Sequence, residues 1–322
     1  MLTRRGFCAG LVMTGAAGSS LAQTYPAKPV KVIVPFAPGG SADVVARLVC
    51  DQLTKRLGQP FIVDNVPGAS GNIGTARSAQ AAADGYTLLA AFSSFAINPS
   101  LFPSLPYDIT KDFKPVSLVA AATHVVVVNP SVAAKSIREL EALINSKVSI
   151  MSFAHGGVGT PGHLLGELYR MAAHLDLVSV PFNGAGPAVG SVLGGHTPMG
   201  VVALSPAFKH ITEGRLRALA VTSKTRYHQL PDVPTMIEAG RPDIVGDLWV
   251  GMLAPGKTPD DVVKLLNSEI RNALQAPELR AKLQGVGFDT VGTSPDEFAT
   301  QIAKESAIWG KIIREAKIEA SP

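Results

Sequence analysis

The chain has 322 residues, of which 46% are hydrophobic and 17% charged: long enough for two domains with separate cores, and too apolar for a disordered chain. Its formal charge of +4 includes Arg4 and Arg5, and residues 1–22 hold no acidic side chain, so removal of that segment leaves +2. That balance is too even to argue for a nucleic-acid binder or a basic membrane-surface protein.

The first residues have the form of an export signal. Thr3-Arg4-Arg5-Gly6-Phe7 precedes a short apolar run, and Ser20-Leu21-Ala22 places small residues for cleavage near Ala22. The Arg-Arg pair before Phe fits a twin-arginine signal, and a general-route signal with adjacent arginines fits the same residues. The apolar run is shorter than the roughly 20 residues of a membrane span. Cys8 lies in this segment, so the remainder keeps only Cys50 and has no internal disulfide. Cys50 falls among Leu48, Val49 and Leu53 on a helical pattern, as a small core residue.

The strand 30–34 meets Pro35 and the turn Pro38-Gly39-Gly40, and apolar residues then resume at helical spacing (Val44, Val45, Leu48, Val49, Leu53, Leu57). This unit aims backbone N–H groups and a helix dipole at a glycine loop, a setting for a carboxylate or phosphate. A strand at 61–65, the loop Pro67-Gly68-Ala69-Ser70-Gly71-Asn72 and an Ala-rich helix follow, then a strand at 86–92 ending in Ser93-Ser94. Residues 98–114, rich in Pro and aromatics, read as irregular, and 116–119 and 124–129 as two separate apolar runs.

Ser136-Ile137-Arg138-Glu139 is a capping-box pattern. The opening unit then recurs twice. A strand at 148–153 leads through His155-Gly156-Gly157-Val158-Gly159-Thr160 to a helix capped by Thr160 with Pro161 as its first residue, and a strand at 177–182 leads through Asn183-Gly184-Ala185-Gly186 to a helix from Pro187. Strands at 200–203, 216–221 and 248–254 and three C-terminal helices complete the chain, the last opened by Ser294-Pro295-Asp296-Glu297. Alternation of strand, glycine loop and helix predicts an α/β fold with a largely parallel sheet and ligand-facing loops at the strand ends.

Enzyme signatures fail on spacing. Gly184-Ala185-Gly186 follows a strand, but the next glycine is Gly190, one residue beyond the dinucleotide spacing, and Gly68, Gly71 and Gly74 miss it as well. The chain has no G-x-S-x-G and no C-x-x-C. His155 and His163 are eight residues apart with no carboxylate to complete a zinc-like set. We therefore expect no catalysis, no cofactor and no metal.

Read together, Pro35-Phe36-Ala37-Pro38-Gly39-Gly40-Ser41-Ala42-Asp43, Asn65-Val66-Pro67-Gly68-Ala69-Ser70-Gly71-Asn72-Ile73-Gly74, Gly159-Thr160-Pro161-Gly162-His163-Leu164, Val180-Pro181-Phe182-Asn183-Gly184-Ala185-Gly186, Leu230-Pro231-Asp232-Val233-Pro234-Thr235 and Trp249-Val250-Gly251-Met252-Leu253-Ala254-Pro255 resemble the substrate-binding proteins of tripartite tricarboxylate transporters, the Bug or TctC-like family. The resemblance covers essentially all of the chain after the export segment. It implies a periplasmic binding protein of type II-like fold, with two α/β lobes closing on a ligand: 24–121 with 247–322 as lobe one, and 122–246 as lobe two. It implies a monomer that takes a small organic carboxylate (a di- or tricarboxylate, an acidic amino acid or an aromatic acid) and presents it to membrane transporter subunits or to a sensor kinase.

By motif position the resemblance places Ala37, Gly39, Gly40, Ser41 and Asp43 at the ligand, with Asn72, Ser93 and Ser94 in lobe one and His155, Gly159, Thr160, His163, Asn183 and Gly184 in lobe two. Ser41, Asp43 and Thr160 equally suit helix caps, and Arg47, one turn inside its helix, reads as a surface or lobe-bracing residue rather than a carboxylate clamp. Two departures mark this chain. Gly194-Gly195-His196-Thr197-Pro198 lacks an acidic residue common there, and Asn183 stands where Lys is frequent.

Overall fold

The computed structural model describes residues 25–146 and 151–320. The export segment, and residues 148–150 of one expected strand, lie outside them.

Five strands, β1 (Val30–Val34), β2 (Phe61–Asn65), β3 (Thr87–Phe92), β4 (Phe113–Val128) and β9 (Asp247–Pro255), build one half of a continuous sheet, and β5 (Met151–His155), β6 (Leu177–Pro181), β7 (Met199–Ala203) and β8 (Arg217–Val221) build the other. The order is β2-β1-β3-β9-β4-β7-β5-β6, with β8 and the short β10 (Asp289–Thr290) also pairing with β4.

The sheet is not largely parallel. Its flanks are, because β1 pairs with β2 and β3, and β5 with β6 and β7, through helical crossovers. All partners of β4 run antiparallel to it, as do β3 and β9 to each other. The two apolar runs expected at 116–119 and 124–129 are segments of this single 16-residue strand. It changes neighbours midway: Thr123 faces Asp247 of β9, and His124 faces Ala203 of β7.

Helices cover both faces. In the first half, α1 (Ser41–Leu57), α8 (Asp260–Leu274) and α9 (Pro277–Gly285) enclose a core of Val32, Val45, Leu53, Leu88, Leu266 and Ile270. Cys50 belongs to this core as expected, and burial pushes its thiol up to about 12. In the second half, α4 (Ile137–Asn145) and α5 (Pro161–Ala172) cover one face, and α6 (Ala185–Leu193) and α7 (Leu204–Thr212) the other. The 21-residue α10 (Pro295–Glu315) serves both halves: Phe298 and Ile302 pack in the first, and Trp309, Ile312 and Ile313 in the second.

Caps follow the sequence with one variation. Ser294 and Glu297 form the full reciprocal box at α10. At α4, Ser136 accepts from the Glu139 N–H, but the Glu139 carboxylate accepts from Lys135 N–H instead. Two helices escape the sequence reading. α3 (Ser94–Leu101) carries Pro99 in its interior and overlaps the stretch expected to be irregular; burial of Phe95, Ala96, Ile97 and Leu101 outweighs the missing donor. The other is α7, whose Pro206 sits in the first turn, where no intrahelical donor is needed.

Candidate functional site

Helices that follow β1, β5, β6 and β7 begin at the same end of the sheet, and there they meet a cavity of 440 Å³ between the two halves. Ser41 contributes from the start of α1; Thr160, Pro161 and Gly162 from α5; Ala185 and Gly186 from α6; Ser205 and Pro206 from α7. The N–H groups of Ser41, Gly162, Ala185 and Gly186 have no acceptor among the described residues. Orphan first-turn donors and the positive ends of helix dipoles together have the chemistry to hold an anion. Phe92, Leu248 and Phe288 from the first half, with Val201 and Val202 of β7, supply an apolar wall. No Asp, Glu, Lys or Arg lines the cavity.

Local sequence explains this convergence. A Cβ on Gly162 would come within 2.6 Å of the Val201 carbonyl oxygen, so glycine there lets the start of α5 press onto β7. Gly184 precedes α6 at φ 107°, a conformation that other residues adopt only with strain. Thr160 caps α5 by accepting from the His163 N–H, and its hydroxyl donates to Gly157 O at 2.7 Å.

Of the residues expected at the ligand, Ser41 and Thr160 line the cavity. Ala37, Gly39 and Gly40 form the exposed loop before α1. Asp43 is buried beneath it with every acceptor position engaged: Gly39 N–H and Arg47 Nε on Oδ2, Asn65 Nδ2 and Arg47 Nη2 on Oδ1, all at 2.9–3.0 Å. Burial alone would raise its carboxyl, but the bonds from Arg47, Gly39 and Asn65 outweigh that and hold it below the usual carboxylate range. Arg47, half exposed, thus braces this loop through Asp43.

Asn72 is buried and accepts from Asn98 Nδ2 and Tyr107 Oη. Ser93 Oγ accepts from the Trp249 N–H, and Ser94 opens α3. His155 and His163 are buried under the loop that caps α5. His155 bonds Gly157 O and Ser179 Oγ through its two ring nitrogens, and His163 Nδ1 accepts from Gly159 N–H. Burial pushes both imidazoles down to about 4, so they are neutral at pH 7. Asn183 lines a separate cavity of 370 Å³ with Ser70, Leu101 and Phe102, and Gly184 N–H bonds Gly156 O and Phe182 O.

The other lining residues lie outside the sequence expectation, and one of them is a histidine. His124 of β4 is 3% exposed, and its ring lines the cavity without a hydrogen bond to any described residue. Its only signal is a polar residue at the start of an apolar strand. No described group of three or more His, Cys, Asp or Glu side chains is arranged to hold a metal, and no described helix is long and apolar enough to cross a membrane.

Comparison with known proteins shows the family and the fold. The family model "Tripartite tricarboxylate transporter family receptor" matches residues 45–318. Protein BugT of Bordetella pertussis is 39% identical over 307 residues, covering 95% of this chain and 94% of BugT. Among solved structures, the MatC protein of Rhodopseudomonas palustris with bound malate is 31% identical with a TM-score of 0.74, covering 90% of this chain and 100% of MatC. A second R. palustris protein, with adipate, is 29% identical with a TM-score of 0.78, covering 92% and 99%. The mixed α/β fold with its divided sheet is that of these binding proteins.

Proposed function

The chain belongs to the tripartite tricarboxylate transporter receptor family, and on that premise we propose that it captures a small carboxylate-bearing solute in the periplasm by closure of two lobes and delivers it to a membrane transporter. The observation that carries the reading is the cavity where four helices begin and no side chain is charged. Once closure excludes water, preorganised N–H dipoles stabilise an anion more strongly than water-exposed ones do. Malate and adipate in two similar structures support a carboxylate.

Lobe one is residues 24–121 with 247–322, and lobe two 122–246. The change of β4 partners between Thr123 and His124, and the start of β9 at Asp247, support crossings at these positions. Ser41 presents the carboxylate site from lobe one and Thr160 from lobe two, while Asp43, His155 and His163 hold the loops in shape. The protein binds and releases its solute without chemical change.

Deleting the gene and measuring uptake of the bound acid tests delivery. Loss of high-affinity uptake supports it. Unchanged uptake with loss of acid-dependent transcription contradicts it and makes the protein a sensory receptor.

A further inference from the structure

The two lobes press together at one glycine, provided their boundaries are those proposed above. Gly287 of lobe one lies against Ser205, in the first turn of α7 in lobe two. A Cβ on Gly287 would overlap the Ser205 Cβ and stand 2.6 Å from its Oγ and 3.1 Å from its Cα. Ser205 Oγ also donates to Val286 O at 3.1 Å, a hydrogen bond that crosses the boundary at the same point.

Each side of this contact is fixed within its own lobe. The Val286, Gly287 and Phe288 N–H groups are bonded to Leu283 O and Gln284 O of α9, and Phe288 is buried in the core that holds Val45 and Leu266. Opposite them, Leu204 and Ala207 anchor α7 in the core that holds Val202 and Leu216. Two packed surfaces therefore meet with no long side chain between them, so a rotamer change cannot absorb an added atom. The contact also borders the cavity, since Ser205, Pro206 and Phe288 line it. The next pair across the boundary is His228 Nδ1 and Asp289 Oδ1, 3.8 Å apart with both side chains nearly half exposed, where ion pairs contribute little.

We infer that Gly287 and Ser205 are positioning residues for binding: glycine at 287 lets α7 come down onto the 286–288 turn, and this contact sets how far the cleft closes around the solute. Closure that stopped short would part Phe288 from the start of α7 and leave that side of the cavity open to water.

Cross-linking reads the contact directly. Gln229 and Gln284 line one groove of 360 Å³ beside it, from opposite lobes. With both replaced by Cys, bismaleimidoethane joins the lobes when they close, and Cys50 is buried and does not compete. Gly287→Ala in that protein is expected to slow the cross-link about tenfold, as overpacking of a tight contact does. Adding Ser205→Gly removes the overlapping Cβ and Oγ and is expected to return the rate to within about threefold of Ser205→Gly alone. The φ of 81° at Gly287 burdens Ala equally in both backgrounds, so the comparison isolates the contact. Ser205→Leu fills the same space from lobe two, leaves the 286–288 turn as it is, and is expected to slow the cross-link as well; it carries the test if Gly287→Ala does not fold. Equal rates in the parent pair and the folded variants overturn the proposal, as does a rate that Ser205→Gly fails to restore. No cross-link in any of these proteins, with both thiols shown to react with N-ethylmaleimide, means that the lobes do not meet here, and the closure reading itself then fails.

Discussion

The imidazole of His155 stacks on that of His163, with ring centroids 4.2 Å apart and planes 15° from parallel, beneath the glycine loop that caps α5. Two protonated rings at this distance would repel, and both bond as neutral imidazoles. Their pKa falls from the ordinary 6.5 to about 4. Between those values the unfolded chain binds more protons, so their contribution is complete above pH 6.5 and is lost as pH falls towards 4. His155→Gln is expected to reduce the fall in melting temperature between pH 7.5 and 5, whatever its stability at pH 7.5. An identical fall would show that the pair does not titrate this way.

Asp247, where β9 begins, acts in the opposite sense. Burial, then the neighbouring Glu305 carboxylate, pushes it from 3.8 up to about 7, and its Oδ1 is enclosed without a partner. The native state keeps a proton there that the unfolded chain loses above pH 3.8, so this group destabilises increasingly as pH rises through 7. Asp247→Asn is expected to stabilise the protein more at pH 8 than at pH 5, as read by urea unfolding at the two values.

The loop before α1 depends on Asp43. Asp43→Ala leaves Gly39 N–H, Asn65 Nδ2 and the half-exposed Arg47 without their common acceptor. We expect a loss of about 2 kcal/mol in unfolding free energy, with a larger loss of affinity than of stability because Ser41 is carried by the same turn. Denaturant unfolding beside calorimetric binding checks both.

Gly251 in β9 faces Phe298 of α10 with no room for a Cβ. Gly251→Ala is expected to cost about 1–3 kcal/mol by overpacking, and Phe298→Leu in the same chain to recover part of it. Full additivity of the two losses would place the strain elsewhere.

The strand–glycine–helix units and the caps Thr160 and Ser294 were legible in the sequence because each is a local arrangement, fixed by residues within a few positions of one another. The antiparallel centre was not. Whether residues 113–128 form two short runs or one strand depends on β7 and β9, distant partners that the run itself does not encode. The same limit applies to the site. Ser41 and Thr160 sit at helix starts that the sequence marks, whereas His124 reaches the cavity only because β4 changes partners beside it. Asp43 and His163 carry the residue types of ligand contacts, yet their visible bonds are to the protein's own backbone and side chains, a distinction that needs coordinates.

The central claim, that a carboxylate is held where α1, α5, α6 and α7 begin, is tested most directly by thermal shift of the protein against a panel of mono-, di- and tricarboxylates, acidic amino acids and aromatic acids, with Ala185→Trp run in parallel. A ligand that binds only the native state raises the melting temperature by mass action. A selective rise with one class of acid is expected in the wild type and none in the filled-cavity protein. An equal rise in both proteins, or no rise with any acid in a folded and ligand-free wild type, would contradict it.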